Sequence, residues 1–354
     1  GLGDFRVTMR SAVVSGARAR CAWGGAGAVR RARGASSSPR AVSSSSSPAA
    51  ASSLPVVVIT GANTGLGFES AKEIAKAGGR RVVLAVRSVE RGETAKTRIL
   101  AAVPGASVDV MAIDLADFAS VRAFADAFKA KYDRLDVLMN NSGVMALPQR
   151  ETTVDGYEKQ MQTNHFGHFL LVSLLLDVMV KTESSDKRIV NLSSIAHNFG
   201  TFDFHNWNSE GFPFGYAGLG WLPYGRTKMA NMMFTYELDR RLKKAGITDV
   251  CTNAVHPGVV DTELNRSLGA FDFYPQLKKA GQLITSEQGA RGQIAAAIAP
   301  EFTGVSGKYI AEQSPNGKPG VHIEQRSNAF SYDTEAWARL WKDSVQVTKA
   351  EWTI

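Results

Sequence analysis

Val56-Val57-Val58-Ile59-Thr60-Gly61-Ala62-Asn63-Thr64-Gly65-Leu66-Gly67 is the stretch whose reading decides the fold. Its first five residues are a short apolar, β-branched run suited to a strand buried on both faces. The glycines follow directly, spaced G-x-x-x-G-x-G. Residues Leu66–Ala77 then take helical spacing and stop at Gly78-Gly79, a helix C-terminal signal. A plain connector would need only the turn. A dinucleotide cradle needs a tight turn, close backbone approach and a helix N-terminus facing a pyrophosphate. The cradle is the preferred reading, with Gly61, Asn63, Thr64, Gly65, Leu66 and Gly67 as cofactor contacts.

The same alternation continues along the chain. Strands are expected at Val82–Val86, Val108–Ile113, from Val137, at Ile189–Leu192, Val250–Val255 and near Lys308–Ile310. Helices are expected over Glu93–Ala102, Phe118–Tyr132, about Tyr157–Val180, Tyr224–Lys243, Ser286–Ile298 and Glu335–Ser344. Strands alternating with helices predict an α/β fold: one doubly wound parallel sheet covered on both faces through right-handed crossovers. No linker is visible after residue 55, so residues 55–354 are expected to form one domain.

In such sheets ligands bind beyond the carboxyl ends of the strands. Twenty positions after Gly67, where an acid would hold a ribose 2′-hydroxyl, stands Arg87, followed by Ser88. A guanidinium suits a 2′-phosphate, which favours NADP(H) over NAD. Asp114-Leu115 ends the third strand; the aspartate either accepts from an adenine amino group or caps the next helix, and both readings stay open. Asn140-Asn141-Ser142-Gly143 ends the fourth, where small residues let the backbone lie against a ribose or simply turn. Tyr224-Gly225-Arg226-Thr227-Lys228 places a phenol and an ammonium on one helical face. A phenol of ordinary pKa, about 10, ionises poorly near neutrality, and a neighbouring ammonium would lower that value.

In this order the motifs resemble the short-chain dehydrogenase/reductase superfamily, over about residues 55–312. The resemblance implies a Rossmann-type sheet of order 3-2-1-4-5-6-7. It implies that Tyr224 is the acid/base, Lys228 its activator and a ribose contact, and Ser194 the hydroxyl that orients the carbonyl. Asn164, in Thr163-Asn164-His165-Phe166-Gly167-His168, would support a water-linked proton path. Pro257, Gly258 and Thr262 match the loop beside the nicotinamide, and Asn141, Ser142 and Gly143 the ribose loop, with Ser142 where the family usually has alanine. A narrower resemblance, to the retinol dehydrogenase-like branch, rests on Ile189-Val190-Asn191-Leu192-Ser193-Ser194-Ile195-Ala196-His197, on Phe204-His205-Asn206, and on Leu340-Trp341 with Ser344. It implies an NADP(H)-dependent oxidoreductase acting on a lipophilic carbonyl or alcohol. An insert at about 199–223 carries Phe199, Phe202, Phe204, Trp207, Phe212, Phe214, Tyr216 and Trp221. It reads as a substrate lid ahead of a packed loop. Members of the branch that reside in membranes usually carry an N-terminal apolar anchor, which is not seen here and leaves retinoid metabolism itself open.

Composition narrows the alternatives. The chain has 354 residues, 44% hydrophobic content and a formal charge of +8. Residues 1–55 hold eight arginines, no lysine and one acid, a net of +7, so the rest carries about +1 and no nucleic-acid footprint is expected. Residues 1–54 are Arg-rich, Ser-rich and acid-poor, with Met9 read as the initiator. That is the composition of a disordered organelle-targeting segment, plastid ahead of mitochondrion. The two cysteines, Cys21 and Cys251, offer the body neither a disulfide nor a zinc spacing. No transmembrane span is read, since Phe169–Val180 is short and holds Asp177. His165, His168, His197, His205 and His256 are read as core, turn or surface residues, with no metal site. Two rivals remain. One is an NADPH-sensing regulatory or import-associated plastid protein. The other, lower, is a light-driven protochlorophyllide reductase, whose expected cysteine features are missing. Substrate identity, direction and oligomeric state lie beyond the sequence.

Overall fold

All five residues of the first strand, β1 (Val56–Thr60), are buried, as a strand covered on both faces requires. The computed structural model of the chain describes residues 54–211, 216, 220–261, 279, 283–312 and 321–354. The expected targeting segment, Thr262, and Phe212 and Phe214 of the insert lie outside them. Beside β1 run β2 (Arg81–Val86), β3 (Ser107–Ala112), β4 (Val137–Asn140), β5 (Lys187–Leu192), β6 (Val250–His256) and β7 (Lys308–Glu312), all parallel, in the order β3-β2-β1-β4-β5-β6-β7. This is the expected sheet with one addition: β8 (His322–Gln325) pairs antiparallel with β7. Its His-Ile-Glu-Gln sequence has no apolar run, and an edge strand needs none.

Side chains alternate across the sheet. From β1, Val56 and Val58 join one core while Val57 and Ile59 join the other. The second core holds α1 (Gly65–Ala77), α2 (Val89–Ala102) and α6 (Ser286–Ile298). The first holds α3 (Phe118–Lys131), α4 (Lys159–Lys181), α5 (Trp221–Lys244) and α7 (Thr334–Thr348). Helix α2 starts four residues earlier than expected because Ser88 accepts from the Arg91 N–H and caps it. Helix α4 is long and apolar enough to cross a membrane by length and composition. Yet 78% of its apolar window is buried inside the fold, where a core helix belongs. It also contains a π-helical turn, Gln162–Phe166, whose extra residue offers the Gly167 N–H to the Gln162 carbonyl. Such turns gather at functional sites.

Phe169 of α4 anchors the first core. It is 1% exposed and stands edge-on to Trp341 and Trp352 at 5.1 and 5.0 Å between ring centroids. Phe169→Ala is expected to destabilise the protein by about 3–5 kcal/mol, read as a lowered urea midpoint.

Candidate active site

Strands β2 and β4 leave opposite sides of β1, and their connections diverge there. A cleft of about 420 Å³ opens over the strand ends. Gly61 turns the chain out of β1 with φ +67°, a conformation that a side chain would strain. Gly67 lets α1 start close to the sheet: a Cβ there would lie 2.5 Å from both the Gly61 carbonyl oxygen and the Asn141 amide nitrogen. Thr64 occupies the N-cap of α1, but its side chain accepts no cap bond, and the first turn has no acid. The first N–H groups and the positive end of the helix therefore face the cleft, which fits an anionic pyrophosphate.

The cleft gathers most of the sequence-derived cofactor set: Gly61, Asn63, Thr64, Gly65, Leu66, Gly67, Arg87, Asp114, Leu115, Asn141, Ser142, Gly143, Tyr224, Lys228 and Pro257 line it. Arg87 is exposed on its wall. Asp114 does not cap α3, so that reading is corrected. The cap is Asp117, which accepts from the Ala119 and Ser120 N–H groups, whereas Asp114 accepts from the Ala116 N–H in a local turn. Gly258 does not line the cleft; a Cβ there would lie 2.9 Å from Glu312 Oε2. Sequence reasoning missed Thr163, whose hydroxyl is buried in the cleft wall without a hydrogen-bond partner. Only its place beside Asn164 could have signalled it.

A buried network fixes the loops around the cleft. The Thr60 hydroxyl accepts from the N–H groups of Asn141 and Ser142 at 3.0 and 2.9 Å. Its oxygen lies 2.9 Å from His168 Nε2, and His168 Nδ1 lies 3.1 Å from the Asn164 carbonyl. A carbonyl only accepts, so Nδ1 carries the hydrogen and Nε2 accepts from Thr60. Burial pushes His168 down to about 4, which keeps the ring neutral. Asn141 donates to the Thr60 carbonyl and accepts from Gln293 on α6.

Helix α5 places Tyr224 and Lys228 one turn apart, both buried. Lys228 Nζ donates to the Leu192 carbonyl at 3.0 Å and stands 5.5 Å from the Tyr224 ring centroid. Burial pushes Tyr224 up to about 12, and the nearby Ser194 hydroxyl pulls the other way. Burial pushes Lys228 down to about 8. The lowered phenol expected from sequence is thus corrected. Desolvation disfavours both charges, and the ammonium is turned to a carbonyl. Near neutrality the pair is phenol and ammonium. Asn164, in the π turn, exchanges two hydrogen bonds with the Val144 backbone at 2.8 and 2.9 Å and donates to Thr227.

Tyr224 also borders an apolar wall of Met145, Ala146, Ala196 and Trp221. Ala146 holds a positive φ of 47°, a strained conformation of the kind that collects at functional sites. The insert divides. Trp221 joins this wall, but Phe202, Phe204 and Trp207 pack on Met229, Met233 and Leu340 as an ordinary cluster rather than a lid. Among the histidines, His165 meets the Ser344 hydroxyl at 2.9 Å, His256 is buried at the end of β6, and His205 is exposed.

The short chain dehydrogenase family model matches residues 55–209. Retinol dehydrogenase 12 of Bos taurus is 40% identical over 302 residues, 84% of this chain and 87% of that protein. Short-chain dehydrogenase TIC 32 B, chloroplastic, of Brassica napus is 34% identical over 298 residues, 82% of this chain and 87% of that protein. The crystal structure of a putative uncharacterized protein from Mycobacterium paratuberculosis superposes with a TM-score of 0.66 at 34% identity, covering 85% of this chain and 98% of that one.

The buried ammonium has a stability signature. Lys228 holds a pKa of about 8 against 10.5 ordinarily, so between those values the unfolded chain binds more protons and the folded state gains stability as pH rises. Substituting Lys228→Met removes that gain. The stability of the variant relative to the parent should be greatest near pH 7 and shrink towards pH 10, by on the order of 3 kcal/mol in paired urea titrations.

Proposed function

This chain belongs to the short-chain dehydrogenase/reductase superfamily, in its retinol dehydrogenase-like branch, and we propose that it uses NADP(H) to interconvert a lipophilic carbonyl compound and its alcohol. The observation that carries the reading is the buried Tyr224–Lys228 pair, with the Ser194 hydroxyl beside the phenol, at the junction of the cleft of about 420 Å³ and an apolar wall. When bound, the reduced nicotinamide supplies a hydride to the carbonyl carbon. Tyr224, a phenol near neutrality, gives its proton to the developing alkoxide, and Ser194 donates a hydrogen bond to the same oxygen. Lys228 stabilises the phenolate left behind. Asn164, bonded to the backbone beside Gly143, supports the route by which Tyr224 regains its proton. In oxidation the roles reverse.

The glycine turn and the N-terminus of α1 hold the pyrophosphate, and exposed Arg87 meets the 2′-phosphate. Asp114, Leu115, Asn141, Ser142, Gly143, Pro257, Gly258 and Thr262 complete the cofactor set. Met145, Ala196 and Trp221 receive the apolar part of the substrate, in keeping with the retinol named for the mammalian relatives. Residues 1–54 act as a plastid-targeting segment ahead of a catalytic domain at 55–354. Their composition and the similarity to a chloroplastic relative support this. A second reading, an NADPH-sensing regulatory protein, shares the plastid location that this similarity supports.

The test is NADPH oxidation by the purified protein with decanal, all-trans-retinal, cyclic ketones and quinones. Tyr224→Phe should retain NADPH binding and fold stability while turnover falls by about 10²–10⁴; near-normal turnover refutes the mechanism. Arg87→Ala should weaken NADPH binding by roughly 1.5–3 kcal/mol and leave NADH binding almost unchanged in fluorescence titrations, and equal losses would remove the 2′-phosphate assignment. Should no carbonyl be turned over while NADPH alters the affinity of a partner protein, the sensing reading takes its place.

A further inference from the structure

After β5 the chain turns through Ser193 and Ser194 into a short 3-10 turn, Ile195–Phe199. His197 lies within it and is 1% exposed. Its Nδ1 stands 2.6 Å from the Ser194 carbonyl, and its own main-chain N–H reaches that carbonyl at 3.0 Å. On the other side, the Asn328 main-chain N–H points at His197 Nε2 at 3.2 Å. Both partners have fixed polarity. The carbonyl only accepts and the amide only donates, so the ring is neutral with its hydrogen on Nδ1. Burial favours the same neutral form. The ring is wedged edge-on against Tyr309 of β7 at 5.1 Å, and the Asn328 side chain donates to the Asn198 carbonyl.

The Ser194 side chain is constrained from its own end. Its oxygen accepts from the Ala196 N–H at 3.2 Å, which leaves its hydrogen to donate elsewhere. With the carbonyl held by His197 and the oxygen held by Ala196, the residue is fixed at both ends of its rotatable bonds. The segment carrying Asn328 shares no helix or strand with Ser194. His197 bridges them, beside the Asn328–Asn198 bond.

We propose that His197 is a positioning residue: its Nδ1–H tautomer locks the Ser194 main chain to the Asn328 segment and so sets where the Ser194 hydroxyl meets the substrate carbonyl. The proposal rests on the reading of Ser194 as the carbonyl-orienting hydroxyl. It concerns orientation, so its loss should appear in kcat, with cofactor affinity spared.

Three measurements on the full chain test it. Side-chain ¹⁵N shifts, assigned through His197→Gln, should show a pyrrole-type Nδ1 and a pyridine-type Nε2; a protonated ring or the opposite tautomer overturns the proposal. With NADPH and decanal, His197→Leu should lower kcat about tenfold to a hundredfold, the scale of an ångström-sized misplacement, with NADPH affinity within twofold. His197→Asn, whose amide stands where Nδ1 stands, should recover most of that loss. Should His197→Leu not fold, Asn328→Pro takes its place: φ −52° at that residue accommodates proline, which deletes the N–H, and Asn328→Ala, which keeps it, serves as control. In a Ser194→Ala background the His197 change should cost little more, because its route of action is gone. A full multiplicative loss there, or no recovery by asparagine, overturns the proposal. Normal turnover by Ser194→Ala alone instead refutes the reading of Ser194, while leaving the tautomer result standing.

Discussion

One buried hydroxyl oxygen holds the centre of this protein together. Thr60 ends β1, and its oxygen takes the two N–H groups that would otherwise be orphaned where the chain leaves β4, at Asn141 and Ser142. Its own hydrogen goes to His168, which in turn donates to the carbonyl of Asn164. The glycine turn, the loop after β4 and the π turn are thereby referenced to a single atom. A cleft at a sheet crossover is only as well defined as the loops that rim it. Here those loops are tied by buried and half-buried hydrogen bonds, which are stronger and more costly to lose than exposed ones.

The second constraint is desolvation on α5. Placing Tyr224 and Lys228 in the interior opposes ionisation of both. This arrangement works against stability, since an ammonium is kept out of water with a carbonyl as its main partner. The result is a defined protonation state near neutrality, phenol and ammonium. Burial thus raises the phenol's pKa where the Tyr-to-Lys spacing alone would lead one to expect a lowered one.

Much of the fold was legible because its signals are local. Buried β-branched runs such as Val56–Thr60, the glycine turn and the Gly78-Gly79 stop each report backbone demands that neighbouring residues meet. Strand β8 was not legible, because His322–Gln325 gains its structure from pairing with β7 and not from its own pattern. The site followed the same division. The ends of strands announced Arg87 and Asn141, whereas a cap at Asp114 stood as one of two open readings and the chain's path gives the cap to Asp117. The roles of His168 and His197 depend on partners 108 and 131 residues away, which no spacing rule reaches. The insert looked like a lid because its aromatics are dense; Phe202 and Trp207 instead found one another and the methionines of α5.

The far reach of the contacts made by residues beyond Asn328 bears on the order in which the molecule is made. Arg122 of α3 donates to the carbonyl of Thr348 across 226 residues, and Trp341 and Trp352 close over Phe169 and Phe234. A nascent chain that has just released Tyr224 and Lys228 already carries both groups and the whole glycine turn, yet lacks the segment that braces His197 and the aromatic cap of the first core. During synthesis, then, the glycine turn is made well before the residues that brace the serine turn. Contacts of such long sequence separation also form late and slowly in refolding. The segment from Asn328 to Ile354 thus closes contacts with residues made far earlier in the chain.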